Sequence, residues 1–131
     1  MNVEYESKIT ILLEHINNFR TAKNNSNSEI EKRYGLPMIL FQIINYTIDL
    51  SDILISIKRL GFPTKYSDNF EILFNYKIIS KDLKEDLQKL CEYRNMIAHE
   101  YHRLNKEEYD EIAELIPSVT DFITIIEQNV K

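Results

Sequence analysis

The chain has 131 residues, 21 acidic against 16 basic, a formal net charge of −5, two glycines, three prolines and a single cysteine, Cys91. That length holds one domain with a real core and not two, so residues 1–131 read as a single unit. The negative balance excludes broad polyanion binding over the whole surface, and a lone cysteine excludes an internal disulfide.

Ile, Leu, Lys, Glu and Asn dominate while Gly and Pro are scarce, which favours helices over a turn-rich β fold. The predicted class is all-α. No N-terminal segment has a signal-peptide pattern, and no unbroken apolar run approaches the ~20 residues of a membrane span. A soluble protein of the reducing cytoplasm, with no membrane partner, is expected.

From about Tyr5 to Arg20, Ile9, Leu12, Leu13, Ile16 and Phe19 recur at helical spacing and predict an amphipathic first helix. The polar run Lys23–Asn27 predicts a turn, and Ser28-x-x-Glu31 offers a reciprocal capping box for a second helix reaching about Leu60. Gly35 and Pro37 should kink or divide that helix, and Gly61 with Pro63 should end it. Its apolar residues fall on most faces, which predicts a central helix touching several neighbours and offers a surface for a second subunit. Asp68-x-x-Glu71 suggests a cap for a short third helix holding Phe70, Ile72, Leu73 and Phe74. Ser80 should cap a fourth, in which Leu83, Leu87, Leu90, Arg94, Ile97 and Tyr101 share a stripe. Asn105-x-x-Glu108 opens a fifth, with Ile112, Leu115, Ile116, Val119, Phe122, Ile123 and Ile126 inward and Pro117 expected to bend it.

The fourth helix carries the unusual residues. Tyr93-Arg94-Asn95-Met96-Ile97-Ala98-His99-Glu100-Tyr101 sets an arginine on a stripe otherwise held by core residues, within the pattern Arg-x4-His-x-Tyr. Arg-x4-His alone arises in roughly one shuffled chain in nine, and the extended pattern in about one in 150, so only the longer one is informative. On an ideal helix Arg94 and Tyr101 project within about 20° of each other and Asn95 and His99 within about 40°, while Arg94 and His99 lie about 140° apart. One regular helix therefore does not bring Arg94 and His99 together; a distortion, a long reach or a twofold-related chain would.

Structural roles also fit these residues. Arg94 can pair with Asp49 or Asp52 of the second helix, His99 can cap carbonyls, and Tyr101 can be core. Cys91 reads as a small buried hydrophobe and His15 as solvated surface. Nearby charges are mixed, with Lys89, Arg94, Arg103 and Lys106 against Glu92, Glu100, Glu107 and Glu108, so any basic cleft is local.

The motif resembles the signature of the HEPN superfamily, and within it the HepT-like toxins, small helical ribonucleases encoded beside a minimal nucleotidyltransferase antitoxin. The resemblance covers most of the chain, including the Phe-Pro-x-x-Tyr-Ser-Asp connection at residues 62–68. It implies an up-and-down bundle of about five helices that dimerises, with Arg94 and His99 as ribonuclease residues assisted by Asn95. It also implies that Tyr101 is the residue to which the partner transferase attaches AMP.

Such a dimer supplies two histidines, one to activate a ribose 2′-hydroxyl and one to protonate the departing 5′-oxygen, while Arg94 clamps the phosphate. Neither a metal site nor a cofactor is expected, His99-x2-His102 being a poor ligand pair. The expected partners are a second copy, the nucleotidyltransferase and RNA. The alternatives are a non-catalytic nucleotide- or substrate-binding partner of a nucleotidyltransferase and a purely structural interaction domain.

Overall fold

The computed structural model describes residues 3–25, 35–100 and 104–130, which form five helices. These are α1 (Val3–Asn25), α2 (Leu36–Lys58), α3 (Tyr66–Asn75), α4 (Lys81–Glu100) and α5 (Lys106–Asn129). No strand occurs among the described residues, so the all-α reading holds.

On α1, Tyr5, Ile9, Leu12, Ile16 and Phe19 are buried at alternating four- and three-residue steps, against α2 in the main. Three details differ from the sequence reading. Leu13 points outward, and the helix runs on through Lys23 to Asn25, past its last buried residue, because polar side chains do not by themselves stop a helix. His15 is half-buried rather than solvated, its ring tilted against Tyr46 of α2 at 5.7 Å.

α2 is the central element and touches all four other helices. Leu36, Leu40, Ile43, Ile44, Ile48, Leu50, Leu54 and Ile55 are buried along it. By length and composition α2 could span a membrane, but half of its apolar stretch is buried inside the bundle. Its described part runs from Leu36, with Pro37 in the first described turn. Gly35 is itself in helical conformation at φ −73° and ψ −51°; the stretch before it, where a kink or division was expected, and the Ser28–Glu31 capping box lie outside the described residues.

The ends of α2 and α3 share one device. The Arg59 N–H donates to Ser56 O at 3.2 Å and the Leu60 N–H to Ile55 O at 3.0 Å, with Arg59 left-handed at φ 55°. Lys77 and Ile78 repeat this on Phe74 and Leu73, with Lys77 at φ 62°. Glycine normally takes that position, and a side chain there costs about 1–2 kcal/mol, offset by the satisfied carbonyls and by the part-buried Leu60 and Ile78. The α2 helix therefore stops at Lys58, three residues before Gly61, which itself sits at φ 141°.

α3 starts at Tyr66, two residues before Asp68, so the predicted cap residue falls inside the helix. Asp68 acts from within the first turn, its carboxylate accepting from the Thr64 and Lys65 backbone N–H groups, both at 3.3 Å, and from the Thr64 hydroxyl at 2.8 Å. Buried Asn69 ties α3 to α2 by donating to Ser51 Oγ and Asp52 Oδ1, both at 2.7 Å. Phe70 packs edge-on against Phe122 of α5 in the solvent-free centre.

The predicted caps of the last two helices are in place. Ser80 Oγ accepts from the Leu83 N–H at 3.1 Å, and Asn105 and Glu108 exchange reciprocal bonds of 2.8 and 3.0 Å. α5 continues through Pro117, burying Ile112, Ile116, Val119, Phe122, Ile123 and Ile126. Ser118 Oγ donates to Asp86 of α4 at 2.6 Å beside that proline.

Candidate active site

The inward stripe of α4 carries Leu83, Leu87, Leu90 and Ile97 into the core. Arg94, on the same stripe, is half-buried with its guanidinium among groups of α2 and α3. Its Nε donates to Asn45 Oδ1 at 2.7 Å, and its Cζ lies 4.4 Å from the Tyr66 ring centroid and 5.1 Å from that of Phe41. Neither aspartate considered from the sequence pairs with it. Lys8 takes Asp49 at 3.3 Å, and Asn69 takes Asp52. Among the described residues no carboxylate pairs with Arg94. The arginine is thus held by an amide and two aromatic faces, which fix its position while leaving its charge uncompensated by them.

Asn95 turns the other way and lines a cleft of about 640 Å3 between the start of α3 and α4, with Thr64, Lys65, Tyr66, Ser67, Gln88, Cys91 and Glu92. Gln88 Nε2 donates to Ser67 O at 3.1 Å and joins the two walls. Tyr66 connects the two functional candidates, since it stacks on Arg94 and lines the cleft with Asn95. His99 lies one turn beyond Asn95 and is exposed. α4 is unbroken through it, so the wide angular separation of Arg94 from His99 persists within one chain. Tyr101 and Arg103 lie outside the described residues.

Part of the charge around this surface is paired. Lys89 reaches Glu92 at 3.4 Å and Glu111 at 3.8 Å, while Lys65, a cation at the cleft that the sequence reading did not single out, lies near the Asp68 carboxylate and helps to lower its pKa. Buried Cys91 has its thiol pushed up to about 12 by desolvation, a rise the nearby Arg94 charge only partly opposes. It is no nucleophile at neutral pH. Tyr93, also buried, is raised first by desolvation and then by its hydrogen bond to Glu111, so it belongs to the core. Among the described residues no three His, Cys, Asp or Glu side chains cluster as metal ligands.

Comparison with known proteins decides the family. Residues 8–126 match the ribonuclease HepT-like family. The chain belongs to it. The mRNA nuclease HepT of Shewanella oneidensis is 31% identical over 58 residues, a match spanning 44% of this chain and 44% of that relative's length. Two solved structures share the HepT-like fold. The tri-AMPylated Shewanella oneidensis HEPN toxin in complex with MNT antitoxin superimposes with a TM-score of 0.83 at 21% identity, over 98% of this chain and 99% of that one. YutE of Bacillus subtilis, a cytosolic protein of unknown function, gives 0.82 at 22% identity, over 96% and 87%.

Asn45, Phe41 and Tyr66 are the site neighbours that sequence reasoning missed. The connection at residues 62–68 was visible as part of the HepT-like resemblance, but nothing in its spacing says that Tyr66 meets an arginine 28 residues later.

Proposed function

We propose that this HepT-like chain is a cytoplasmic, metal-independent endoribonuclease, the toxin of a toxin–antitoxin pair, acting as a homodimer of single-domain 1–131 protomers. The observation that carries the reading is the Arg94 guanidinium held by neutral groups, free of any described carboxylate and adjacent to a cleft. An arginine so held binds a phosphate without first breaking an ion pair.

In this mechanism neutral His99 of one protomer takes the proton of a ribose 2′-hydroxyl. The 2′-oxygen attacks phosphorus, the bond to the 5′-oxygen breaks, and protonated His99 of the second protomer gives that oxygen its proton. Arg94 stabilises the negative charge that builds on the phosphoryl oxygens, and Asn95 orients His99 or a phosphate oxygen. The two-chain arrangement is supported by one α4 directing Arg94 inward and exposing His99. The supporting relatives are the mRNA nuclease HepT and the HEPN toxin bound to its MNT antitoxin.

In the regulatory part of the proposal, a cognate nucleotidyltransferase joins AMP from ATP to the Tyr101 hydroxyl with release of pyrophosphate, adding bulk and negative charge where RNA would lie. Support comes from the tri-AMPylated state of the Shewanella toxin. Intact mass after co-expression with the neighbouring transferase should rise by AMP increments that Tyr101→Phe abolishes. An unchanged wild-type mass contradicts this regulation.

A further inference from the structure

We infer that Tyr66 is a stacking platform for one unpaired nucleobase of the RNA, seated in the cleft between α3 and α4 beside the phosphate that Arg94 holds. The inference rests on the ribonuclease reading and adds a base-binding subsite to it. Three observations meet at this residue. Tyr66 is 44% exposed as a residue although its neighbour in space, the Arg94 guanidinium, lies over its ring at 4.4 Å. The exposed ring borders a cleft of about 640 Å3, a size suited to a ligand of nucleotide dimensions. The same cleft is lined by a cation, Lys65, and by side chains with hydrogen-bonding capacity for a base edge: Asn95 and, beside their contacts to Ser67 and Lys89, Gln88 and Glu92.

Each group has a chemical part. A cation held against one face of a phenol ring fixes its orientation, so the ring loses little freedom when a base stacks on it. Single-stranded RNA presents such bases, splayed out of the stack, and proteins that bind it combine aromatic faces with cations along the backbone. Here Arg94 lies over the ring and Lys65 lines the same cleft, so the two serve the phosphates on either side of the base. Glu92 excludes a phosphate from the far wall but accepts hydrogen bonds from a base amino group, and Asn95 both donates and accepts. Duplex RNA, whose bases are stacked and paired, cannot enter. Tyr66 is therefore a positioning residue that selects unpaired RNA.

The absence of tryptophan from the chain provides the test. Tyr66→Trp in a His99→Ala background introduces a single indole reporter in a protein that the ribonuclease reading makes inactive. Added single-stranded oligoribonucleotide should quench its emission, and a duplex of the same sequence should not. Affinity measured by anisotropy in the same background should fall about tenfold or more in Tyr66→Leu and stay within about twofold in Tyr66→Phe, which keeps the ring. Unquenched emission with bound RNA, or equal affinities for Leu and Phe variants of unchanged melting temperature, overturns the inference. So does a Tyr66→Leu protein that loses kcat with unchanged affinity, because the residue then acts only through Arg94. Cleavage by the wild-type protein reads the ribonuclease proposal separately; its failure alongside quenching by single-stranded RNA leaves the base site standing.

Discussion

Asn45 Oδ1 accepts a 2.7 Å hydrogen bond from Arg94 Nε across the α2–α4 interface, between residues 49 apart in the chain. A neutral acceptor at this place is informative. A carboxylate would anchor the guanidinium more strongly and would also satisfy its charge.

Asn45→Asp separates those two consequences. The charged pair should hold or raise the melting temperature, since a charge-assisted bond replaces a neutral acceptor. RNA cleavage should fall about tenfold or more, because substrate phosphate must displace the new carboxylate. Unchanged cleavage with a raised melting temperature contradicts the assignment of Arg94 to the phosphate.

A second prediction concerns acid stability at the α3 start. Asp68 is held below the ordinary carboxylate value of 3.8, chiefly by the Thr64 hydroxyl and also by the Thr64 and Lys65 N–H groups. A carboxyl lowered in the folded state contributes stability above its unfolded value and loses it as pH falls through the folded one. Asp68→Ala should therefore lower the melting temperature at neutral pH and approach the wild type as pH drops below 3.8. A deficit that persists undiminished in acid contradicts the electrostatic origin.

The Cys91 thiol, raised to about 12 by burial, should resist iodoacetamide at neutral pH in the native protein and react fully once unfolded. Cys91→Ala should leave RNA cleavage intact. Rapid native alkylation would show that the cleft wall opens.

The helices were legible in the sequence because their apolar residues recur with a helical period, and the Ser80 and Asn105 caps because capping is local chemistry. Arg94 was legible as an anomaly on an apolar stripe, which suffices to nominate it. Its surroundings were not, because Phe41 and Asn45 on α2 and Tyr66 on α3 meet it only through tertiary packing. The C-terminus of α2 was misplaced for a related reason: Gly61 and Pro63 are strong local signals, but the packing of Leu60 allowed Arg59 to take the left-handed position first. The site is thus divided between a readable motif and an unreadable set of supports.

The most direct measurement is cleavage of cellular RNA and tRNA by the full chain, made without a nucleotidyltransferase and confirmed free of AMP by intact mass, in excess EDTA, with His99→Ala alongside. The account predicts cleavage by the wild type alone. Equal cleavage by both proteins, or none by either, contradicts it.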